Sequence, residues 1–134
     1  MDNTEHENHH HVKRFIECLG ICHTVISDDK EHRGEKYKAY NASSPDELAL
    51  VNGMRHFGFA FRDRDIDDNI IVDLTRTGET VQYRLLHVIE FNSDRKRMSV
   101  IVRDKDNRIL VVCKGADSII AARLKEGEEH YAAT

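Results

Sequence analysis

No stretch of this 134-residue chain approaches the roughly 20 consecutive apolar residues that a membrane-crossing helix requires. The longest apolar runs are a few residues, such as Ile109-Leu110-Val111-Val112-Cys113. A basic surplus is also missing: 20 Lys and Arg stand against 24 Asp and Glu, a net charge of −4. A nucleic-acid binder would concentrate basic residues on one face, so that class is set aside. There is no G-x-x-x-x-G-K-S/T loop and no G-x-G-x-x-G, so any phosphate must be met without a glycine-rich cradle. No secretory signal opens the chain, because Met1 to His11 is polar throughout and reads as a flexible leader. Cysteine is scarce and odd in number. Cys18, Cys22 and Cys113 sit in apolar surroundings, where free thiols behave as small buried hydrophobes of a reducing, cytosolic compartment.

What remains is a globular composition, 40% apolar and a third charged, of a length that buries one core of ordinary size. No repeat or linker divides it, so residues 12–134 are expected to form one domain. From Val12 to Val25 apolar residues recur at Phe15, Ile16, Leu19 and Cys22, the three-and-four spacing of one helix face. Ser27 to Lys36 is charged and reads as a loop, followed by a short strand from Tyr37 to Ala42. The clearest helix start is Ser44-Pro45-Asp46-Glu47, with an N-cap serine, proline at the first position and glutamate three residues after the cap. That helix runs through Leu48, Leu50, Val51 and Met54, with Gly58 as its stop.

Beyond it the apolar period becomes two, at Phe57, Phe59 and Phe61. Ile70–Thr75 and Val81–Phe91 flank Thr77-Gly78-Glu79, and Lys96–Arg103 and Arg108–Lys114 flank Asp104-Lys105-Asp106-Asn107; both are hairpin signals. A last helix is expected from Asp117 to Leu124. Helices followed by consecutive antiparallel strands give an α+β fold, a twisted antiparallel sheet flanked by helices, rather than a parallel α/β sheet.

Two local motifs have plain readings. His6-Glu7-Asn8-His9-His10 satisfies H-E-x-x-H, a pattern that holds zinc only when both histidines share one face of a packed helix and a third ligand is near. Here it lies in a polar stretch without apolar periodicity, so a zinc hydrolase is the weaker alternative and no metal site is expected. Arg95-Lys96-Arg97 follows Asp94 and enters a strand; it reads either as a solvated turn or as a contact for nucleotide phosphate.

Three segments carry more. Ala42-Ser43-Ser44-Pro45-Asp46-Glu47, then Glu90-Phe91-Asn92-Ser93-Asp94-Arg95-Lys96-Arg97-Met98-Ser99-Val100, then Cys113-Lys114-Gly115-Ala116-Asp117-Ser118 together resemble the nucleotide-domain signatures of P-type ATPases. The forms S-P-D-E, R-K-R-M-S-V and K-G-A-D-S are similar to those of the phospholipid-translocating class, the type IV flippases. The resemblance spans roughly Phe15 to Leu124. It implies an ATP-binding domain of an ATP-driven phospholipid translocase, which holds the adenosine end of ATP and presents the γ-phosphate to an aspartate elsewhere. That aspartate, its Mg2+, the actuator domain and the lipid path in the membrane would lie outside this chain, which would bind ATP or ADP and catalyse nothing alone. A module of the same fold that binds no nucleotide is the other alternative.

Elementary chemistry agrees with the sites so implied. Adenine has apolar faces and a polar edge. Phe91, at a strand end before a polar turn, suits stacking, which contributes about 1–3 kcal/mol per base; as an isolated strand phenylalanine it would be core. Glu47 can accept from the adenine amino group, although a capping-box glutamate already has its own backbone to serve. Lys114 can line the pocket with its methylenes and send its ammonium towards phosphate, or be an edge-strand lysine that deters aggregation. The resemblance adds Ser93, Lys96 and Asp46. Leu48 departs from the glycine that flippases often carry there. The family's nucleotide domain also continues into a strand with a further ATP-contacting arginine, so truncation at the C-terminal end is expected. Asp73-Leu74-Thr75-Arg76-Thr77-Gly78 only faintly echoes the phosphorylation motif D-K-T-G-T and reads as strand and turn.

Overall fold

A computed structural model of the chain describes residues 7–125. The first helix, α1 (His9–Ile21), begins before the expected Val12 and ends before the expected Val25. Its early end has a physical cause. The His23 imidazole takes over the local backbone: Nε2 donates to the Gly20 carbonyl at 2.9 Å, and Nδ1 accepts from the Val25 N–H at 3.1 Å. A side chain that satisfies neighbouring backbone groups in this way competes with the helical ladder. Ile16, Leu19 and Gly20 form the buried stripe of α1, whereas Phe15, expected on that stripe, is largely exposed. A Cβ on Gly20 would run into the Phe59 ring, so glycine sets how closely α1 can approach the sheet.

The expected charged loop is instead most of a hairpin. β1 (Ile26–His32) pairs antiparallel with β2 (Glu35–Asn41) from Ile26 opposite Asn41 to His32 opposite Glu35. Arg33 and Gly34 turn it with φ of 53° and 83°, the left-handed pair that suits the twist of a two-residue hairpin. Most of the hairpin is exposed on both faces, so it has no apolar alternation by which a strand could be recognised. Tyr40 ties its base down, donating to the Phe61 carbonyl beneath the Arg55 guanidinium.

The expected start of α2 (Pro45–His56) is present: Ser44 Oγ accepts from the Glu47 N–H, and Pro45 opens the helix. Glu47, Val51 and Met54 face inwards. The main sheet is a meander of β3 (Phe59–Arg64), β4 (Asn69–Leu74), β5 (Glu79–Ile89), β6 (Arg97–Arg103) and β7 (Ile109–Gly115), antiparallel throughout and ordered as in sequence. Both expected hairpins are there. Asp73, in the segment that echoes a phosphorylation motif, is a β4 residue paired with Arg62 across the ladder. One sheet face carries Phe59, Phe61, Ile70, Val72, Tyr83, Met98, Val100 and Val102, all buried in one core with Ile16, Leu19, Val51 and Met54. Burying each valine or isoleucine fully contributes about 1.5–3 kcal/mol, and these contacts fix where the strand ends lie. α3 (Asp117–Ala121) closes the described part and is shorter than expected. Among the described residues no helix is long and apolar enough to cross a membrane.

Candidate functional site

The site assembles where α2, the α1–β1 connection and β7 converge. The N-cap of α2 turns Glu47 inwards, and its side chain does not return to its own N-cap backbone as a capping box would have it. Its Oε1 accepts from the Thr24 N–H at 3.0 Å, and its Oε2 accepts from Thr24 Oγ1 at 3.0 Å. Lys114, 67 residues further on, donates to Oε1 at 3.5 Å. The two charged side chains are 10% and 19% exposed, which makes them a mostly desolvated pair. Such a pair is held by geometry and additional hydrogen bonds rather than by charge alone. Lys114 lies opposite Met98 in the β6–β7 ladder, on the core face, so it is no edge lysine facing water.

Beneath this pair lie two thiols. Cys22 Sγ approaches the Met98 and Val112 carbonyls, and Cys18 Sγ the Cys113 carbonyl. Burial pushes Cys22 up to about 12 and Cys18 up to about 11, Lys114 opposing it only in part. Both are therefore protonated at neutral pH and poor nucleophiles. All three cysteines are free.

The second part of the site is the turn between β5 and β6. Phe91 is 61% exposed just past the end of β5, so it is not the core phenylalanine that an isolated strand would suggest. Asn92 Oδ1 accepts from the Asp94 and Arg95 N–H groups, and the Lys96 N–H returns to the Asn92 carbonyl at 2.8 Å. Lys96 adopts φ of 52°, so its exposed side chain leaves a tightly defined backbone. Ser93 is exposed on the same turn.

Arg95 is half-buried, and its guanidinium is engaged with the protein itself. Its Nη1 donates to the carbonyls of Ile89, Glu90 and Arg97 at 3.1, 2.8 and 2.9 Å, and its Nη2 to Ser99 Oγ at 3.3 Å. A planar guanidinium with several donors can bridge both strand ends in this way. The turn abuts β7: the Ala116 N–H donates to the Lys96 carbonyl, and a Cβ on Gly115 would stand 2.6 Å from that oxygen. Gly115 thus lets the turn rest against the strand end that carries Lys114.

Of the six positions implied at the sequence level, Glu47 and Lys114 are in contact, and Phe91, Ser93 and Lys96 share one turn against the same end of β7. Asp46 is exposed in the first turn of α2 and points to no partner in common with Glu47. Sequence reasoning missed Thr24, for which the only signal was its place in a helix that stops early. It also missed that the Arg95 guanidinium is spent on three backbone carbonyls and Ser99. A groove of about 610 Å³ lies elsewhere, between α1 and the β4–β5 and β6–β7 turns, and none of the six lines it. Several of its charges are paired, Arg14 with Glu17 and Arg108 with Asp104 and Asp106. Of the H-E-x-x-H stretch, His6 lies outside the described residues and His9 and His10 open α1. No group of three metal-ligating side chains stands together among the described residues.

The antiparallel meander and the helices that flank it fit the fold of one known class. The chain belongs to the family of P-type ATPase cytoplasmic N domains, whose description fits residues 11–127. It is 46% identical over 114 residues to the "Phospholipid-transporting ATPase ID" of Mus musculus and to that of Homo sapiens, covering 85% of this chain and 9% of each relative. It is 47% identical over 123 residues to the "Probable phospholipid-transporting ATPase 11" of Arabidopsis thaliana, covering 90% of this chain and 10% of the relative. The chain thus spans about a tenth of the length of the curated relatives it matches.

Proposed function

We propose that this domain grips the adenosine part of ATP within a larger, membrane-integral, ATP-driven phospholipid translocase. Phe91 supplies the stacking face, Glu47 accepts from the adenine amino group, and Lys114 lends positive charge beside it. Ser93 and Lys96 meet the ribose and phosphates from the β5–β6 turn, with Asp46 at the rim. The γ-phosphate projects away, and closure onto a separate phosphorylation domain carries it to an aspartate there. The rate gain is one of positioning. Mg2+ belongs with that aspartate and the phosphates, and the actuator domain and lipid path lie in the rest of the protein. The domain by itself turns nothing over.

The observation that carries this reading is the convergence of separated residues on one end of the sheet. Lys114 reaches Glu47 across 67 residues, and the turn bearing Phe91 and Lys96 rests on Gly115, the next residue after Lys114. An exposed aromatic on a turn that rests against the strand end whose lysine holds a buried carboxylate is an unusual way to finish a core and a suitable way to meet a base, apolar on its faces and polar on its edge. Membership of the P-type family and the names of the relatives support the nucleotide and the lipid respectively.

The test is an NMR titration of the chain with ATP, ADP and AMP, each with and without Mg2+. Weak and similar binding of all three is expected, nearly independent of Mg2+, with shifts around Glu47, Phe91 and Lys114. Silence at millimolar ATP would overturn the proposal.

A further inference from the structure

We infer that Thr24 is a positioning residue that makes the site selective for a 6-amino purine, by fixing which lone pair of Glu47 remains free. The inference rests on the nucleotide reading above. A carboxylate has about four acceptor positions. Three are used: Oε1 by the Thr24 N–H and by Lys114, and Oε2 by the Thr24 hydroxyl. What remains is one position on Oε2, and it can only accept. A base edge with a donor at its 6-position satisfies it, whereas one with an oxygen there sets two acceptors against each other. A buried acceptor left facing another acceptor is strongly disfavoured.

Thr24 is itself held with little freedom. Cys22, His23 and Val25 on either side are 0%, 0% and 1% exposed, while Thr24 alone of this run is half-buried. His23 bridges Gly20 and Val25, stacks edge-on against the Phe61 ring with centroids 4.6 Å apart, and offers its carbonyl to Arg64. The threonine is thus the half-exposed polar member of an otherwise buried segment, and both of its donors are spent on Glu47. Without the hydroxyl, Oε2 is free to rotate, and its remaining position is no longer aimed at the 6-position of the base.

The experiment compares the chain with its Thr24→Val and Thr24→Ser variants, titrated in parallel with ATP and GTP, with thermal unfolding as the check on folding. The unaltered chain should prefer ATP. Thr24→Val, which has the same shape, should lower ATP affinity roughly 3- to 10-fold while GTP affinity stays within about twofold. Thr24→Ser should restore the preference. A preference unchanged in a folded Thr24→Val variant overturns the role of Thr24 and leaves the nucleotide reading standing. An equal loss for both nucleotides does the same, because it marks general loosening. Failure of the unaltered chain to bind ATP overturns both.

Discussion

Glu47 and Lys114 meet with side chains only 10% and 19% exposed, whereas Phe91 stands 61% exposed on the neighbouring turn. The first flank is fixed by side chains from three distant segments; the second is fixed almost entirely through its own backbone. Asn92 caps the second, Lys96 turns it with a positive φ, and Arg95 bridges its two strand ends. Rigidity is thus achieved twice by different means. In the buried flank the groups that would meet a ligand are also the groups that hold the fold. In the exposed flank those tasks are divided: Phe91 and Lys96 point outwards while Asn92 and Arg95 do the holding. Stability and binding should therefore respond together to changes in the first and separately in the second.

The largest effect should come from breaking the buried flank. Glu47→Ala leaves Lys114 without its partner and two Thr24 donors unsatisfied, so unfolding by urea should show a loss of about 3 kcal/mol. A loss below about 0.5 kcal/mol would mean that the corner is wetter and looser than its exposure indicates.

The segment behind that corner should make stability depend on pH. Burial lowers His23 to about 4, from about 6.5 in an open chain. Above about 6.5 it is neutral whether folded or unfolded, and its full contribution is present. Below that the unfolded chain takes up the proton first, so stability falls with pH until about 4 is reached. The slope should approach 1.4 kcal/mol per pH unit, or about 2 kcal/mol between pH 7 and 5. Unfolding free energies measured across this range on the chain and on His23→Gln should show the slope flattening in the variant. An unchanged slope between pH 7 and 5 would overturn the role of His23, because Asp65, Asp73 and Asp104, which hydrogen bonds hold below the usual carboxylate range, act only below about pH 5.

On the exposed flank, Phe91→Ala should leave stability within about 0.5 kcal/mol and yet weaken ATP binding about tenfold, the lower part of what stacking contributes. Normal ATP binding by this variant would remove Phe91 from the site. A large loss of stability would show that the ring is structural after all, and the contrast between the flanks would disappear.

How far the sequence alone revealed this arrangement depended on whether a segment had a buried face. β6 announced itself because Met98, Val100 and Val102 alternate into the core, and α2 because Ser44 and Pro45 mark its start whatever it packs against. The β1–β2 hairpin was not legible because both its faces meet water, so its charges resemble those of a loop. The end of α1 was missed for a different reason: helical spacing continues to Cys22, and only the imidazole of His23 reclaims the backbone. The same limit hid Thr24. Its partner lies 23 residues away, and no periodicity records a contact between a connection and the inner side of a later helix. Phe91 and Lys114 were legible as strand-end residues, and Glu47 mainly through its motif; that the latter two touch is a fact of the folded chain.

The smallest effect, and the most diagnostic of how the second flank is built, should come from Arg95→Lys. Charge is retained, but a lysine ammonium cannot span the Ile89, Glu90 and Arg97 carbonyls and Ser99 Oγ as the planar fork does. Other bonds of the turn remain, including those from Asn92 and the one between Ala116 and Lys96. Stability should therefore fall by only about 1 kcal/mol. ATP affinity should fall about two- to threefold, less than in Phe91→Ala, because the ring is still present but held less firmly. Binding of ATP to the double variant separates positioning from contact. If Arg95 acts only by placing Phe91, Arg95→Lys should weaken binding no further once the ring is gone. Additive losses would instead mean that Arg95 meets the phosphates directly, and its inward bonds would have to open when nucleotide arrives.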